Sequence, residues 1–390
     1  MKDETKLTLL GRDPQNHQGI VNPPVYHAST ILYPTLAAFK DRASRKYHGI
    51  AYGAHGTPTA LALASAVAQM EGGYAGVVAS TGLAAITVAL TAFVKKDDHI
   101  LVADSVYGPT RDFCDHILTK FGVITTYYDP ILGADIADLI QPRTRLVYVE
   151  SPGSLTFEVQ DVPAIAAAAH QSNILVLMDN TWGTPLFFKP FAHGVDVSIQ
   201  AGTKYIGGHS DLVIGVITAK NEQLYRTIKD TAVTLGEVAG PDDCYLALRG
   251  LRTMGVRLRH QEQAGLAVAR WLKEQPEVKT VLYPALPDDP GHEIWKRDFL
   301  GASSLFSAVL HTDSEEAVSR MVNGFRLFKI GASWGGYESL VYPTFPGKAR
   351  TVSPWREKGF VLRFHIGLEA TEDLIADLSD GFKVLRRALG

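Results

Sequence analysis

Lys204 is the residue whose position most needs a chemical reason. It closes the run V-D-V-S-I-Q-A-G-T-K, residues 195–204, in which short apolar stretches flank small residues. An ammonium beside buried apolar runs costs desolvation unless its charge is paired or removed. Three other stretches place polar groups just after apolar runs. S-T-G-L-A, residues 80–84, follows A-G-V-V-A; D-S-V-Y-G, residues 104–108, follows H-I-L-V-A; and Asp179 ends I-L-V-L-M-D. A turn of small residues feeding a helix can offer backbone N–H groups to a phosphate. Tyr107 can stack on a planar ring, and Asp179 can partner a basic nitrogen. Each feature also has an ordinary structural reading. The turn can be a plain helix start, Tyr107 a surface aromatic, and Asp179 a cap.

Taken together, the four features carry more. A backbone cradle, an aromatic face, a carboxylate and a buried lysine are the parts that hold pyridoxal phosphate. A lysine that forms an imine with the aldehyde loses its ammonium charge, which answers the desolvation objection. Asp179 then keeps the pyridine nitrogen protonated, and Thr203 and residues 80–83 hold the phosphate. Ala201 has no hydroxyl to add. The cradle is not a P-loop, since no G-K-[ST] follows, and it lacks the G-x-G-x-x-G dinucleotide pattern.

The elements that must position these groups are short apolar strands alternating with helices. A-G-V-V-A, H-I-L-V-A, F-G-V-I-T-T-Y-Y, R-L-V-Y-V-E, I-L-V-L-M-D, V-D-V-S-I-Q and L-V-I-G-V-I-T-A read as seven strands. Such alternation predicts an α/β domain with a mostly parallel seven-stranded sheet, whose ligands sit beyond the strands' carboxyl ends. This large domain is expected over 59–245. Residues 1–58, punctuated by Pro23, Pro24 and Pro34 with scattered aromatics, read as an arm that needs another surface, such as another subunit, to cover it. A long helical region from Tyr245, broken or not at a glycine, leads into a smaller C-terminal α+β domain over 246–390. That domain is expected to hold strands near 304–310, 325–329 and 361–366 and a last helix near 371–387.

The 390 residues are 46% hydrophobic and 20% charged, with a formal net charge of -3. This is ordinary globular composition, with no electrostatic footprint for nucleic acid. No apolar run approaches a bilayer span, and the charged opening M-K-D-E-T-K is not a convincing leader. Two cysteines, Cys114 and Cys244, form no redox or metal pattern, so two buried thiols and a cytoplasmic location are expected. No H-E-x-x-H or carboxylate cluster supports a metal site. His209 reads as structural, and Arg252, Arg257 and Arg259 as helix residues pairing across an interface.

Over almost its whole length the sequence resembles the Cys/Met-metabolism family of pyridoxal-phosphate enzymes, and within it the bacterial cystathionine β-lyases. The resemblance rests on E-S-P-G-S (150–154), D-N-T-W (179–182), D-V-S-I-Q-A-G-T-K-Y-I-G-G-H-S-D (196–211), R-G-L-R-T-M-G-V-R-L-R (249–259), S-W-G-G-Y-E-S-L (333–340) and R-F-H-I-G-L-E (363–369). It implies the fold-type-I transferase architecture and a homotetramer of two close dimers, with the arm reaching a neighbour's active site. It implies Lys204 as the Schiff-base lysine, Asp179 as the pyridine partner and Tyr107 as the stacking ring. Gly82 and Leu83 would give backbone donors to the phosphate, with Thr203 adding a hydroxyl. Arg363 would clamp the substrate carboxylate with Ser333 and Trp334, and Tyr52 would come from the neighbouring chain. Trp334 favours the β-lyase branch: α,β-elimination from cystathionine or a related cysteine S-conjugate to a thiol, pyruvate and ammonia.

Two positions depart from the family pattern. An arginine usual two places after the arm tyrosine is Ala54 here, beside His55, and a tyrosine usual before S-W-G-G is Ala332. The first removes a positive charge expected at the neighbour's phosphate. Both remove bulk near the substrate, so a reshaped pocket and a substrate other than cystathionine are expected. The cofactor residues alone leave γ-elimination, racemisation and replacement at Cβ open. A non-catalytic homologue is the reading of another class.

Overall fold

The computed structural model describes the backbone of residues 1–390 and every side chain except those of Ser44, Lys348 and Ala349. Seven strands form the large sheet: β1 (Ala75–Ala79), β2 (His99–Ala103), β3 (Ile124–Tyr128), β4 (Thr144–Glu150), β5 (Leu175–Asp179), β6 (Val197–Gln200) and β7 (Gly215–Ala219). Their order is β1-β7-β6-β5-β4-β2-β3. β7 runs antiparallel to both neighbours, β1 and β6, and the remaining pairs are parallel. The central strands are buried because helices cover both faces: all five residues of β2 and all four of β6 are buried, whereas β3 at the sheet edge leaves Ile124 exposed. The six co-directional strands therefore deliver their carboxyl ends to one edge. The α/β, mostly parallel seven-stranded architecture expected from the sequence is the one observed.

Helices start where the sequence supplies caps. Thr57, with Pro58 behind it, caps helix Pro58–Glu71, and Thr81 caps helix Gly82–Thr91 by accepting from the Ala84 N–H at 2.8 Å. Helix Pro241–Lys273 runs unbroken through its glycines. The boundary expected at 245–246 lies inside it. Within the chain, Arg252 and Arg257 of this helix turn to backbone carbonyls and Arg259 to a carboxylate. Arg257, 5% exposed, donates to the Tyr205 and Gly250 carbonyls at 2.8 Å; Arg252 donates to the Leu7 and Leu10 carbonyls; Arg259 pairs with Glu4.

A second sheet holds β8 (Val278–Leu282), β9 (Leu305–Leu310), β10 (Lys329–Ile330), β11 (Leu340–Thr344) and β12 (Val361–His365), in the order β10-β11-β12-β9-β8. The strand expected near 325–329 is only the two residues of β10, and β8 and β11 had no signal. β11 carries Pro343, which breaks the strand signature. Helix Thr371–Leu389 packs its Leu374, Leu378, Phe382 and Leu385 stripe into the core under this sheet. Cys114 and Cys244 are free and buried. No helix is long and apolar enough to cross a membrane among the described residues.

The first sixty residues divide. Helix Asp3–Leu9 packs on the chain's own core, with Leu7 1% exposed. Residues 20–39 instead leave Ile20, Val21, Tyr26, Leu32, Leu36 and Phe39 exposed. The arm is tied down by helix Glu222–Thr234: the Tyr47 hydroxyl donates to Asp230, Lys46 pairs with Asp230 at 2.6 Å, and the Tyr225 hydroxyl donates to the Tyr47 carbonyl at 2.8 Å.

Candidate active site

The carboxyl edge of the large sheet opens into a cavity of about 280 Å³. Lys204, Asp179, Tyr107, Gly82, Leu83, Thr203, Trp334 and Arg363 all line it. Lys204 arrives on the turn after β6, Asp179 at the end of β5, and Tyr107 four residues beyond β2. Arg363 lies on β12 of the second sheet, so the two sheets share the cavity.

The Lys204 Nζ donates to the Ser333 Oγ at 2.8 Å and stands 5.2 Å from the Trp334 ring centroid. Burial, with the Arg363 charge, pushes its pKa down to about 8, and Asp179 opposes the shift. A sizeable neutral fraction is thus available near neutral pH, as proton abstraction requires. The segment carrying Trp334 reaches this close because of Gly335. Its φ is +87°, and a Cβ there would meet the Lys204–Tyr205 backbone at 2.8 Å.

Asp179 is 9% exposed and accepts the Thr181 N–H at 3.0 Å. Burial raises its pKa, while the Thr181 bonds and the Lys204 charge pull it back. Beside it in register, Glu150 accepts the Tyr107 N–H at 2.8 Å. Burial and then the Asp179 charge push the Glu150 carboxyl well above the usual range. The shift disfavours the charged form of Glu150 beside Asp179, and Asp179 is the one that feels the Lys204 charge. Burial and then Glu150 and Asp179 raise the Tyr107 phenol as well.

The Gly82 and Leu83 N–H groups open helix Gly82–Thr91 and have no acceptor among the described residues. A Cβ on Gly82 would stand 2.6 Å from the Ala201 Cβ, so the cradle tolerates no side chain there. The Thr203 hydroxyl is already engaged: it donates to the Ile214 carbonyl at 3.1 Å and accepts the Ile214 N–H at 2.9 Å. The unspent phosphate donors are the two backbone amides.

Arg363 is 8% exposed and faces no carboxylate within ion-pair distance among the described residues. It donates to the Ala332 carbonyl at 2.8 Å and stacks over Tyr342 at 4.7 Å. Burial lowers its pKa to about 10. A buried guanidinium without an anion, opening on a cavity, is built for a planar carboxylate. His365, next to it but one, is pushed down to about 3 by burial and by the Arg363 and Lys204 charges, so it stays neutral.

Tyr52 is the site candidate that the single chain does not bring to this cavity. It is 46% exposed on the arm, its hydroxyl 3.4 Å from the Ser29 Oγ and its ring 5.9 Å from the His55 ring. The sequence gives Glu150 and Tyr342 no role, and it does not show that Arg257 holds the Tyr205 carbonyl next to Lys204. E-S-P-G-S carried the one signal that pointed at Glu150.

A family model described as "Cys/Met metabolism PLP-dependent enzyme" matches residues 4–383. The chain belongs to that family. Its cofactor is therefore pyridoxal phosphate, and the cavity fits it: free backbone donors for a phosphate, an acid for a ring nitrogen, and a lysine held part-neutral for the aldehyde. Among similar members, the "Cystathionine beta-lyase MetC" of Escherichia coli strain K12 is 42% identical over 98% of this chain and 98% of its own length. The "L-alanine/L-glutamate racemase" of Wolbachia pipientis wMel is also 42% identical, over 97% and 96%. A crystal structure of cystathionine gamma synthase from Xanthomonas oryzae pv. oryzae, in complex with aminoacrylate and cysteine, superposes with a TM-score of 0.92 at 30% identity, covering 99% of both chains. Family members of one scaffold thus carry names for different reactions.

Proposed function

We propose that this enzyme is a carbon–sulfur β-lyase, removing a thiol from a cysteine S-conjugate of the cystathionine type. The observation that carries the reading is Trp334, held 5.2 Å from the Lys204 amine by the S-W-G-G-Y-E-S-L segment that favours the β-lyase branch. The full-length similarity to a named cystathionine β-lyase supports it.

In this reading the residues divide the work. Bound pyridoxal phosphate supplies the electron sink that acidifies the substrate's Cα–H. Gly82 and Leu83 N–H groups hold its phosphate, with the Thr203 hydroxyl joining only if it leaves Ile214. Asp179 partners its ring nitrogen, and Tyr107 covers its face. Arg363 holds the substrate α-carboxylate, and Ser333 steers the lysine. Lys204, neutral, takes the Cα proton; the Cβ–S bond then breaks with its electron pair on sulfur. Lys204 or a tyrosine returns a proton to that sulfur, which leaves as a thiol. Addition of water releases the three-carbon remainder as pyruvate and ammonia.

The exposed apolar residues of the arm support a second copy covering it, and Tyr52 then serves that copy's cavity in a homotetramer of two close dimers. Two free buried cysteines suit a cytoplasmic enzyme. Racemisation is the second reading, favoured by the racemase relative. Product analysis on cystathionine and bulkier S-conjugates decides: equal amounts of thiol, pyruvate and ammonia support the lyase. A D-amino acid or 2-oxobutyrate as the main product overturns it. Turnover on cystathionine equal to that on every bulkier conjugate sinks the reshaped pocket.

A further inference from the structure

Outside the cavity, two buried cations, Arg257 and Lys229, have no anion among the described residues; Arg257 spends its donors on carbonyls of its own chain, and Lys229 meets the arm. Lys229 lies on helix Glu222–Thr234 and is 7% exposed. No Asp or Glu stands within ion-pair distance of it among the described residues, and burial alone pushes its pKa down to about 8. Its ammonium donates to the His55 carbonyl of the arm and has two further N–H donors without an acceptor among the described residues. A cavity of about 40 Å³ adjoins it, lined by Gly53, Ala54, His55, Gly56 and Glu237 among others. The Glu237 carboxylate lines the same cavity, accepts the Ser80 N–H through Oε1 at 2.5 Å, and is not within ion-pair distance of Lys229. His55 does not replace the missing charge: burial and then the Lys229 charge lower its pKa, keeping the ring neutral.

The arm loop Gly53–Thr57 is where the sequence lacks a charge. Ala54 stands there, and the lysine reaches the same loop from a different element. Buried ammonium groups are retained when an anion is present to meet them. We propose that Lys229 is an oxyanion-binding residue that supplies, through the arm loop, the positive charge absent at Ala54. The oxyanion is the phosphate of the neighbouring subunit's cofactor or a carboxylate on the distal part of its substrate. This rests on the arm serving a neighbour's site, as proposed above.

Lys229→Met tests it, since Met keeps the side-chain length and removes the charge. Lys229→Arg and the double change Ala54→Arg with Lys229→Met test rescue. In the phosphate case, Lys229→Met weakens pyridoxal-phosphate affinity roughly tenfold, read by cofactor absorbance across dialysis, and shifts the phosphorus resonance of the holoenzyme. In the carboxylate case, cofactor affinity holds. The KM for cystathionine then rises roughly tenfold at constant kcat, while the KM for S-methylcysteine, which has no distal carboxylate, stays. Either pattern, restored by Lys229→Arg or by Ala54→Arg, supports the proposal and names the source. A purely structural lysine moves neither, and removing its unpaired charge only raises the thermal midpoint of the cofactor-free protein. If the wild type is oligomeric and active, and Lys229→Met matches it in affinity and both KM values, this inference alone is overturned. A monomeric wild type overturns it together with the shared-site reading.

Discussion

Lys204 and Lys229 are both pushed down to about 8 by burial, yet they sit in opposite circumstances. Lys204 has Asp179 to oppose the shift, Ser333 to fix its amine, and an open cavity around it. Lys229 has one backbone carbonyl and a small cavity against the arm. The first belongs to a half-site that one chain assembles completely, from the carboxyl edge of one sheet and β12 of the other. The second lies against an arm whose Lys46 and Tyr47 meet Asp230, while Lys229 itself meets no carboxylate among the described residues. On the proposed shared-site reading, the difference marks where a second chain would act. The cradle, the acid and the carboxylate clamp are intrinsic, whereas Tyr52 and Lys229 have nothing of their own to act on.

The sharpest way to break this comparison is at the intrinsic half. Lys204→Ala should cut lyase turnover by about 10⁴-fold, with the fold and thermal midpoint retained, because the base is lost. Steady-state pyruvate release checks it; turnover within tenfold of wild type contradicts the role. Arg363→Ala should cost about 10²- to 10³-fold in kcat/KM by leaving the substrate carboxylate unpaired, and Arg363→Lys, which lacks the planar fork, should recover only part. On the arm, Tyr52→Ala should lower turnover by about 10²-fold if its hydroxyl works in a neighbour's cavity. Ala332→Tyr refills the space beside Arg363 and should swing the ratio of kcat/KM values toward the smaller S-conjugates by about tenfold.

The smallest effect is the pH dependence of stability at Lys229. A lysine whose folded pKa is about 8, against 10.5 unfolded, is neutral in the folded chain over that window while the unfolded chain still holds its proton. Stability from this group therefore rises with pH between about 8 and 10.5 and is lowest below 8. In the cofactor-free protein, Lys229→Met should exceed wild type in thermal midpoint at pH 7, and the gap should shrink by pH 9.5. A gap constant with pH contradicts an unpaired charge.

The two halves also differ in how far the sequence reveals them. Most strands of the large sheet are legible because burial on both faces makes runs such as those of β1, β2 and β5 apolar. Parallel strands then bring whatever follows them to one edge, so Lys204, Asp179, Tyr107 and the residue 80–84 turn are legible together. The second sheet is less so: β8 carries Lys279 and Thr280 between Val278 and Val281, and β11 contains Pro343. Thr203 was expected to give its hydroxyl to a phosphate, but the sequence has no way to show that Ile214 already holds it. Arg252 and Arg257 look like interface charges on a helix face, and only packing shows that they satisfy carbonyls of the same chain. Lys229 is the extreme case. In Y-R-T-I-K-D it reads as a solvated helix charge, and its burial comes from the arm laid over it.

The most direct test of a site divided between two chains is subunit mixing. Lys204→Ala and Tyr52→Ala protomers are dissociated, combined and reassembled, and pyruvate release from the S-conjugate is followed against each variant alone. Recovery of activity well above both parents is the expected result, since a hybrid dimer pairs one intact cavity with one intact arm. A mixture no more active than its better parent, with hybrid formation verified by mass, would contradict the divided site.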